Sequence, residues 1–179
     1  MDEITCHLAT TLKTLRQARD WSLSQAAEAT GVSKAMLGQI ERNESSPTVA
    51  TLWKIATGFN VPFSAFITPA SLATAPVYDP RQQSMVVRPL FPFDEQHRFD
   101  WFAITLAPGV SSASTPHERG VIEHVVVISG VLEMQTAEVT RQLTQGQGLR
   151  FAGDKPHRYT NPGAGTLLFH SLIHYPAGQ

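Results

Sequence analysis

The feature that most constrains this chain is a pair of short helices predicted on either side of a glycine turn, between residues 22 and 42. Ser22 comes just before the first of these helices and Gln25 stands three positions later, which is the pattern of a capping box. Gly31 stands where a left-handed helix end is expected, and Ser33 suits the start of the second helix. Two short helices joined by a tight turn, the second with a polar outer face, indicate a helix-turn-helix unit.

Further helices are predicted on both sides of this pair. Pro47 and Thr48 begin a fourth helix that ends at Gly58, and residues 62–67 form a short fifth one. The apolar positions at helical spacing are Leu8, Leu12 and Leu15 in the first helix, and Val49, Leu52, Trp53 and Ala56 in the fourth. Such spacing places one apolar stripe on each helix. Residues 5–67 are therefore predicted to be a five-helix unit.

The character of the chain changes beyond about residue 83. Short runs rich in Val, Ile, Phe and Thr alternate there with Gly and Pro, which indicates an all-β sandwich or barrel. The predicted strands are residues 85–91, 99–106, 123–128, 131–136, 139–143, 149–151 and 166–174. Small residues and prolines between the halves indicate a linker over 69–82. The prediction is a multidomain α + β chain, with a helix-turn-helix domain in residues 1–68 and an all-β domain in residues 83–179.

Composition and charge narrow the possible functions. No apolar run is long enough to cross a membrane, and the first residues do not resemble a secretory signal. A single cysteine, Cys6, cannot form an internal disulfide, so we expect a cytoplasmic protein. Residues 1–70 carry equal numbers of basic and acidic side chains. Because affinity for DNA is largely electrostatic, a DNA-binding domain without net charge is expected to bind well only as a homodimer.

The candidate DNA-binding residues lie on the outer face predicted for the helix after Gly31 and in the loop that follows it. Lys34 suits guanine O6 and N7, and Gln39 suits adenine N6 and N7. Hydroxyl, amide and guanidinium groups further along suit phosphates, and Gly38 is expected to allow a close approach of the backbone. The complete set is Ser33, Lys34, Ala35, Gly38, Gln39, Arg42, Asn43, Ser45 and Thr48. The alternative is an ordinary helical unit whose polar side chains are only solvated.

These residues belong to a longer pattern. It comprises Leu15–Arg19, Ser22-Leu23, Ala27-Glu28, Gly31–Ser33, Gln39–Arg42, Pro47-Thr48 and Leu52–Ala56. Over residues 5–67 the chain resembles the XRE (lambda-repressor-like) helix-turn-helix family. The resemblance implies a two-fold dimer on double-stranded DNA and a pairing of Arg16 with Glu41. Leu23 stands where relatives often have a phosphate-binding Gln, and Asn43 replaces a frequent Gly, where Asn tolerates the left-handed conformation.

The second half carries a candidate ligand site. His117 and Glu123 lie in one segment and His157 in another, with each histidine predicted just outside a strand. Imidazole and carboxylate groups brought together inside a barrel bind divalent metals, and they also bind small polar ligands. His124 follows Glu123 directly, so its side chain is predicted to point to the opposite face of the strand. His170 shares a predicted strand face with His174, and both are expected at a rim or in a hydrogen-bonded core position.

Together with Gly130, Gly146 and Asn161, these residues make residues 83–179 similar to the cupin family. The resemblance implies a double-stranded β-helix (jelly-roll) barrel that often dimerises and often holds one divalent metal ion. Thr115 occupies the position of a fourth usual ligand. Three interpretations therefore stay open: a metal site, a metal-free effector pocket or a purely structural barrel. The first two use the same residues, His117, Glu123 and His157.

The two halves together resemble the XRE–cupin group of bacterial transcription regulators. Residues 21–64 are especially similar to members that control sulfur utilisation in enterobacteria. The resemblance implies a regulator rather than an enzyme, with a small effector that is a sulfur-containing or related metabolite. One alternative is a metal-dependent dioxygenase or isomerase fused to a DNA-binding domain. The other is an antitoxin-like module whose barrel binds a protein.

Overall fold

The computed structural model describes residues 3–66 and 84–176. The chain divides into two compact units, residues 1–73 and 74–179. The predicted linker, 69–82, lies outside the described residues, and so do the predicted domain limits at residues 68 and 83. No helix in the described part of the chain is long and apolar enough to span a membrane.

The described part of the first unit contains four α-helices and a closing 3₁₀ turn. The helices are α1 (Glu3–Ala18), α2 (Leu23–Thr30), α3 (Lys34–Glu41) and α4 (Val49–Gly58), and the 3₁₀ turn spans Phe63–Phe66. The predicted fifth α-helix was wrong. The amide of Ala65 donates to the carbonyl of Pro62, three residues back, at 3.1 Å, so this short segment closes with the tighter 3₁₀ bond.

The helix ends follow from the predicted capping residues. Ser22 Oγ accepts a bond from the Gln25 amide at 3.2 Å, and Gln25 Oε1 accepts one from the Ser22 amide at 2.8 Å. Gly31 ends α2 with a φ of +65°. Both predictions are confirmed. The fully buried side chains of the unit include Leu12, Leu37, Ile40, Ile55, Phe59, Phe63 and Phe66. The core therefore lies between the predicted apolar faces of the helices.

The second unit contains nine described strands in two antiparallel sheets. They are β1 (Met85–Asp94), β2 (Phe99–Leu106), β3 (Ser111–Ser114), β4 (Ile122–Ser129), β5 (Val131–Gln135), β6 (Thr140–Thr144), β7 (Gly148–Ala152), β8 (His157–Thr160) and β9 (Leu167–His174). One sheet has the order β1-β2-β9-β4-β7 and the other β3-β8-β5-β6. Seven of these strands were predicted. The prediction missed β3 and β8, which pair with each other.

The core of the second unit lies between the two sheets. Phe169 on β9 pairs with Ile104 on one side and Val127 on the other, and all three are buried. In the opposite sheet Met134 pairs with Tyr159, and both are buried. The same alternation turns the carboxylate of Glu123 and the ring of His157 inward, so the sheet register places a polar cluster inside an otherwise apolar interior.

Candidate nucleic-acid interface and candidate metal centre

The outer face of α3 carries most of the predicted base-reading residues. Lys34, Ala35 and Gln39 are exposed, whereas Leu37 and Ile40 are fully buried beneath them. Each turn of α3 therefore offers its polar side to solvent and its apolar side to the core, as a helix that enters the major groove must.

The sequence reasoning missed Met36 on this face. Its side chain is 39% exposed, which is unusual for a large apolar residue. It lies three residues before Gln39, so the two side chains are neighbours on the helix surface. That spacing could have identified it. An apolar side chain at such a position suits contact with a thymine methyl group.

Gly38 lies in a different place from the predicted one. It was expected to point away from the core, but it is buried. A Cβ atom at this position would lie 3.1 Å from Arg42 Nη1 and 3.6 Å from Leu23 Cδ1. The reason is that Arg42, one turn later, folds back over Gly38 while α2 packs beside it. The absence of a side chain at Gly38 therefore leaves room for the guanidinium of Arg42, while Leu23 lies at an ordinary packing distance.

The hydroxyl residues of the predicted interface mark helix starts. Ser33 Oγ accepts from the Met36 amide at 3.2 Å, and Thr48 Oγ1 accepts from the Thr51 amide at 3.2 Å. A hydroxyl that accepts in this way can still donate its own hydrogen to a phosphate. Between these caps the loop contains a half-buried Ser45 and an exposed Glu44.

The loop after α3 turns at Asn43, whose φ is +59°. This confirms that the left-handed conformation is used where relatives often carry glycine. Just before it, Arg42 Nε and Nη2 donate to the two carboxylate oxygens of Glu44 at 2.8 and 2.7 Å. The hydrogen bond from Arg42 lowers the pKa of Glu44 below its ordinary value. The predicted phosphate-binding guanidinium thus already faces a carboxylate within its own loop.

A second arginine–glutamate pair holds the helices in place. Arg16 on α1 donates from Nε and Nη2 to the carboxylate of Glu41 on α3, at 2.6 and 2.8 Å. Arg16 Nη1 also donates to the carbonyl of Trp21 at 2.8 Å. The geometry confirms the pairing that the family resemblance implied. It fixes the end of α3 against α1 and the turn that leads into α2.

In the second unit the structure brings together the three predicted ligand residues. Glu123 lies on β4, His157 is the first residue of β8 and His117 lies in the loop after β3. Their candidate ligand atoms all lie within 4.8 Å of one another. Among the described residues no other group of histidine, cysteine and acidic side chains has this arrangement. The expectation that His157 lies outside a strand was wrong, because the strand that carries it was not predicted.

The contacts inside this cluster are unusual for a purely structural one. The Nε2 atoms of His117 and His157 lie 3.0 and 3.3 Å from Glu123 Oε1. Nevertheless Glu123 Oε1 and His157 Nε2 are both buried without a hydrogen bond. Buried polar atoms are nearly always paired, so two that face each other unpaired point to a missing proton or cation between them.

The tautomer of His157 follows from its other nitrogen. His157 Nδ1 lies 2.9 Å from the carbonyl oxygen of Lys155. Because a carbonyl only accepts, Nδ1 carries the hydrogen and donates it. Nε2 then faces Glu123, with a lone pair when the ring is neutral and with a hydrogen when the ring carries the charge that lowers the pKa of Glu123. This is the arrangement of a metal-binding histidine, in which the second nitrogen is oriented by a backbone carbonyl.

Tyr159 completes the cluster. Its hydroxyl donates to Glu123 Oε2 at 2.6 Å across the gap between the sheets. Burial, followed by the charge of Glu123, raises the pKa of Tyr159 well above its ordinary value, so the phenol stays a donor. Burial alone would raise the pKa of Glu123, but contact with His117, the charge of His157 and the bond from Tyr159 together lower it below its ordinary value.

The remaining residues of the second unit that were singled out have structural positions. Asn161 is buried, and its Nδ2 donates to the carbonyls of Leu106, Ala107 and Gly165 at 3.1, 3.1 and 2.9 Å. Gly130 and Gly146 have φ values of +89° and +79°, as tight turns require. His124 is exposed, on the opposite face of β4 from Glu123, as predicted.

Two other histidines lie apart from the inward-facing cluster. On β9 the odd-numbered residues from 167 to 173 are buried, so the face that carries His170 and His174 is the outer one. The ring of His170 meets Trp101 edge-on, with 6.3 Å between the ring centroids. Thr115 is half-buried in the loop after β3.

Comparisons with known proteins agree with this division of the chain. The helix-turn-helix family HTH_3 matches residues 12–66, and the cupin domain family Cupin_2 matches residues 102–173. The HTH-type transcriptional regulator SutR of Escherichia coli strain K12 is 63% identical over 176 residues, which cover 98% of this chain and 99% of that relative.

Solved structures match both the whole chain and its second half. The crystal structure of an HTH_3 family transcriptional regulator from Vibrio cholerae is 41% identical, covers 97% of this chain and 98% of that one, and superposes with a TM-score of 0.87. The cupin domain of an XRE family transcriptional regulator from Enterobacter cloacae is 63% identical over 53% of this chain and all of its own, with a TM-score of 0.52.

Proposed function

The chain belongs to the family of HTH-type transcriptional regulators that join a helix-turn-helix domain to a cupin domain, and from this premise we propose how its residues divide the work. As a member of that family it is a DNA-binding transcriptional regulator. In our proposal α3 reads an operator in duplex DNA, and the β unit, a jelly-roll barrel in residues 83–179, senses a small molecule. The helical domain is taken as residues 1–68. The protein then acts in the cytoplasm as a regulator without catalysis of its own.

The exposed outer face of α3 carries the reading role. Lys34 and Gln39 reach base edges there, with Met36 beside them, because their side chains stand on a helix whose other side is locked into the core. Arg42 lies one residue beyond the end of α3, where a guanidinium suits a phosphate. Ser33, Ala35, Asn43, Ser45 and Thr48 surround them, whereas Gly38 contributes through packing.

A pair of variants tests this division between base reading and phosphate binding. With an operator selected from random duplexes, Gln39→Ala should cost about 1–3 kcal/mol and relax preference at one base pair. Arg42→Ala should weaken selected and unrelated duplexes alike and reduce the salt slope by about 1. Gln135→Ala, an exposed glutamine in the second unit, is the matched control. An unchanged base preference in the Gln39 variant would remove that residue from the reading role.

We also propose that the protein binds DNA as a homodimer. The helical unit has no excess of basic residues, so one copy gains little from the counterion release that drives DNA binding. Two copies on half-sites about one helical turn, roughly 34 Å, apart would add their contacts. Light scattering of the full chain, with and without the operator, should give twice the mass of 19.6 kDa. A monomer on a single half-site would contradict the proposal.

The His–Glu cluster supports a divalent metal ion in the β unit. The two facing atoms that lack hydrogen bonds, Glu123 Oε1 and His157 Nε2, are an anionic and a lone-pair donor, and His117 Nε2 lies close to the same oxygen. Such a donor set fits a divalent ion of the first transition series. A bound ion would supply a Lewis-acidic contact for an oxygen or sulfur atom of the effector. The similarity of residues 21–64 to regulators of sulfur utilisation favours a sulfur-containing or related metabolite.

Metal analysis combined with native mass spectrometry of untagged protein tests the site. The expected result is one metal ion per chain, lost in His157→Ala and kept in His170→Ala, a control on the outer face of β9. If neither the parent protein nor the His170→Ala variant contains metal, the proposed metal ion is contradicted. A metal-free effector pocket on the same residues is then favoured. Turnover that depends on the metal would instead support the alternative of a cupin dioxygenase or isomerase fused to a DNA-binding domain.

A further inference from the structure

The β unit has a second concave region that none of the sequence patterns assigned. It is a cavity of about 310 Å³ at β6, β7 and the turns beside them. Its lining includes Glu138, Val139, Arg141, Arg150, Phe151 and Lys155. A volume of this size is at the lower end of the range of small-molecule sites. None of these residues belongs to the His–Glu cluster.

The sheet register explains why this place is open. β7 lies at one edge of the first sheet and β6 at one edge of the second. Arg141 pairs directly with Met134, so it points to the face that the two sheets bury between them, yet Arg141 is exposed while Met134 is fully buried. Phe151 pairs with Glu123 and also faces inward, but it is only half-buried. The cavity is therefore the mouth of the space between the sheets, and we call it the basic mouth.

The charges around the basic mouth are unbalanced. Arg141, Arg150 and Lys155 contribute three cations and Glu138 one carboxylate. Arg150 pairs with His124, so it lies at the rim on the outer face of β7, whereas Arg141 faces inward. In the described part of the chain none of these three cationic side chains forms an ion pair or a hydrogen bond. Arg16 and Arg42 of the first unit behave differently, since each is paired with a glutamate. Cationic side chains gathered at a concave surface without acidic partners are the usual recognition element for an oxyanion.

The rest of the lining favours an organic anion over a bare inorganic one. The ring of Phe151 and the side chain of Val139, which is 36% exposed, offer apolar surface beside the cations. Phe151 also meets the ring of His157 edge-on, with 5.0 Å between centroids. The carbonyl of Lys155 holds His157 Nδ1 at 2.9 Å. A molecule in the basic mouth would thus touch two residues that contact the His–Glu cluster directly.

We propose that the basic mouth binds a small organic oxyanion, with a carboxylate, sulfonate or phosphate head against Arg141 and Lys155 and a short apolar body against Phe151. This inference rests on the proposed function, because it names the chemical class of the effector that the β unit senses. Contact with Phe151 and Lys155 gives the bound anion a route to His157. The route consists of side chains and one backbone carbonyl that are already in contact.

An NMR titration of the full-length, ¹⁵N-labelled protein tests the proposal. The probes are butanoate, propane-1-sulfonate and propyl phosphate, which differ in the head group, and butan-1-ol, which keeps the chain without the charge. At least one anion should give saturable shifts, and butan-1-ol should give none. The double variant Arg141→Gln/Lys155→Gln, which keeps the backbone carbonyl of Lys155, should bind at least about tenfold more weakly, a loss of roughly 1.4 kcal/mol. Arg150→Gln, on the outer face of β7, should weaken binding less.

Arg119→Gln is the matched control, because Arg119 is exposed, lies outside the lining and carries the same charge. Equal weakening in this control would show that only net charge matters and would overturn the site. Equal binding of butan-1-ol, or no saturable shift with any anion, would overturn it as well. Loss of operator affinity in the double variant without oxyanion binding would assign the cations to DNA. The titration contains no DNA, so its failure leaves operator binding, and thus the proposed function, separately testable.

Discussion

The burial of the Arg16–Glu41 pair leads to a sharp prediction for the substitution Glu41→Gln. The side chains of Arg16 and Glu41 are only 16% and 9% exposed. A glutamine keeps the shape of Glu41 but places an NH₂ group against one of the two donors of Arg16. The guanidinium then keeps its charge, loses its counterion and retains two neutral acceptors, the amide oxygen of the new glutamine and the carbonyl of Trp21.

The cost of Glu41→Gln can be bracketed. Removing one partner of a fully buried pair costs about 3–5 kcal/mol, and an exposed pair contributes about 0–1 kcal/mol. Arg16 keeps some contact with water and two hydrogen bonds to neutral acceptors, so we expect about 2 kcal/mol. For a domain of this size 1 kcal/mol lowers the melting temperature by about 4–8 °C, so the helical unit should melt about 8–16 °C lower. Circular dichroism at 222 nm follows this transition, because all described α-helices lie in the first unit.

The chain contains its own control for this reasoning. Arg42 and Glu44 form a bidentate pair with nearly the same distances, but their side chains are 58% and 52% exposed. Glu44→Gln should therefore leave the melting temperature unchanged. The double replacement Arg16→Met/Glu41→Leu, which removes both charges, should lie within about 1 kcal/mol of the parent. If Glu41→Gln and Glu44→Gln have the same effect, burial does not decide the strength of these pairs and the reasoning is refuted.

Three further outcomes follow from the structure. Gly58→Ala puts a Cβ atom 2.6 Å from a backbone oxygen of α2 and should lower the free energy of unfolding in urea by about 1–3 kcal/mol. Gly165→Ala, with open space around its Cβ, should leave it unchanged, and equal effects of the two variants would contradict the packing argument. Tyr159→Phe leaves Glu123 Oε2 buried without its donor and should lower the stability of the β unit by about 1–3 kcal/mol, and an unchanged urea midpoint would count against that bond. Burial and neighbouring cations lower the pKa of His124, so the unfolded chain binds more protons and stability falls as pH drops below about 6.5. In His124→Gln the melting temperature should depend less on pH in this range, and a pH dependence equal to that of the parent protein would contradict the prediction.

The elements predicted well are those whose signals are local. A helix N-cap needs one hydroxyl and one amide a few residues later, so Ser22 with Gln25, and Ser33 alone, identify helix starts without knowledge of the fold. Gly31 marks a helix end in the same way, because few other residues tolerate a positive φ there. Arg16 and Glu41, by contrast, lie 25 residues apart. Their contact was predicted only because a family resemblance supplied it.

The elements that escaped prediction are short and depend on long-range pairing. β3 reads Ser-Ser-Ala-Ser and β8 reads His-Arg-Tyr-Thr, each of four residues and without an apolar run. They become strands because each pairs with the other across more than 40 residues of sequence. Missing β8 concealed the alternation that turns both His157 and Tyr159 inward. The cluster was therefore predicted with three of its four members.

The two buried ionic clusters of this chain differ in a way that bears on function. Around Arg16 and Glu41 the charges and donors are matched, so the cluster needs nothing more and serves to hold α3. Around Glu123 and His157 one oxygen and one nitrogen remain unpaired, although the surrounding sheets are well packed. Two other buried side-chain atoms in the described residues, Arg19 Nη1 and Ser171 Oγ, also lack a hydrogen bond, but Glu123 Oε1 and His157 Nε2 differ from them in that they face each other at 3.3 Å. Polar groups left facing each other in this way are expected at functional sites. Either a proton between His157 and Glu123 or the proposed divalent ion completes the pairing, and the metal analysis of the parent protein and its His157→Ala variant distinguishes the two.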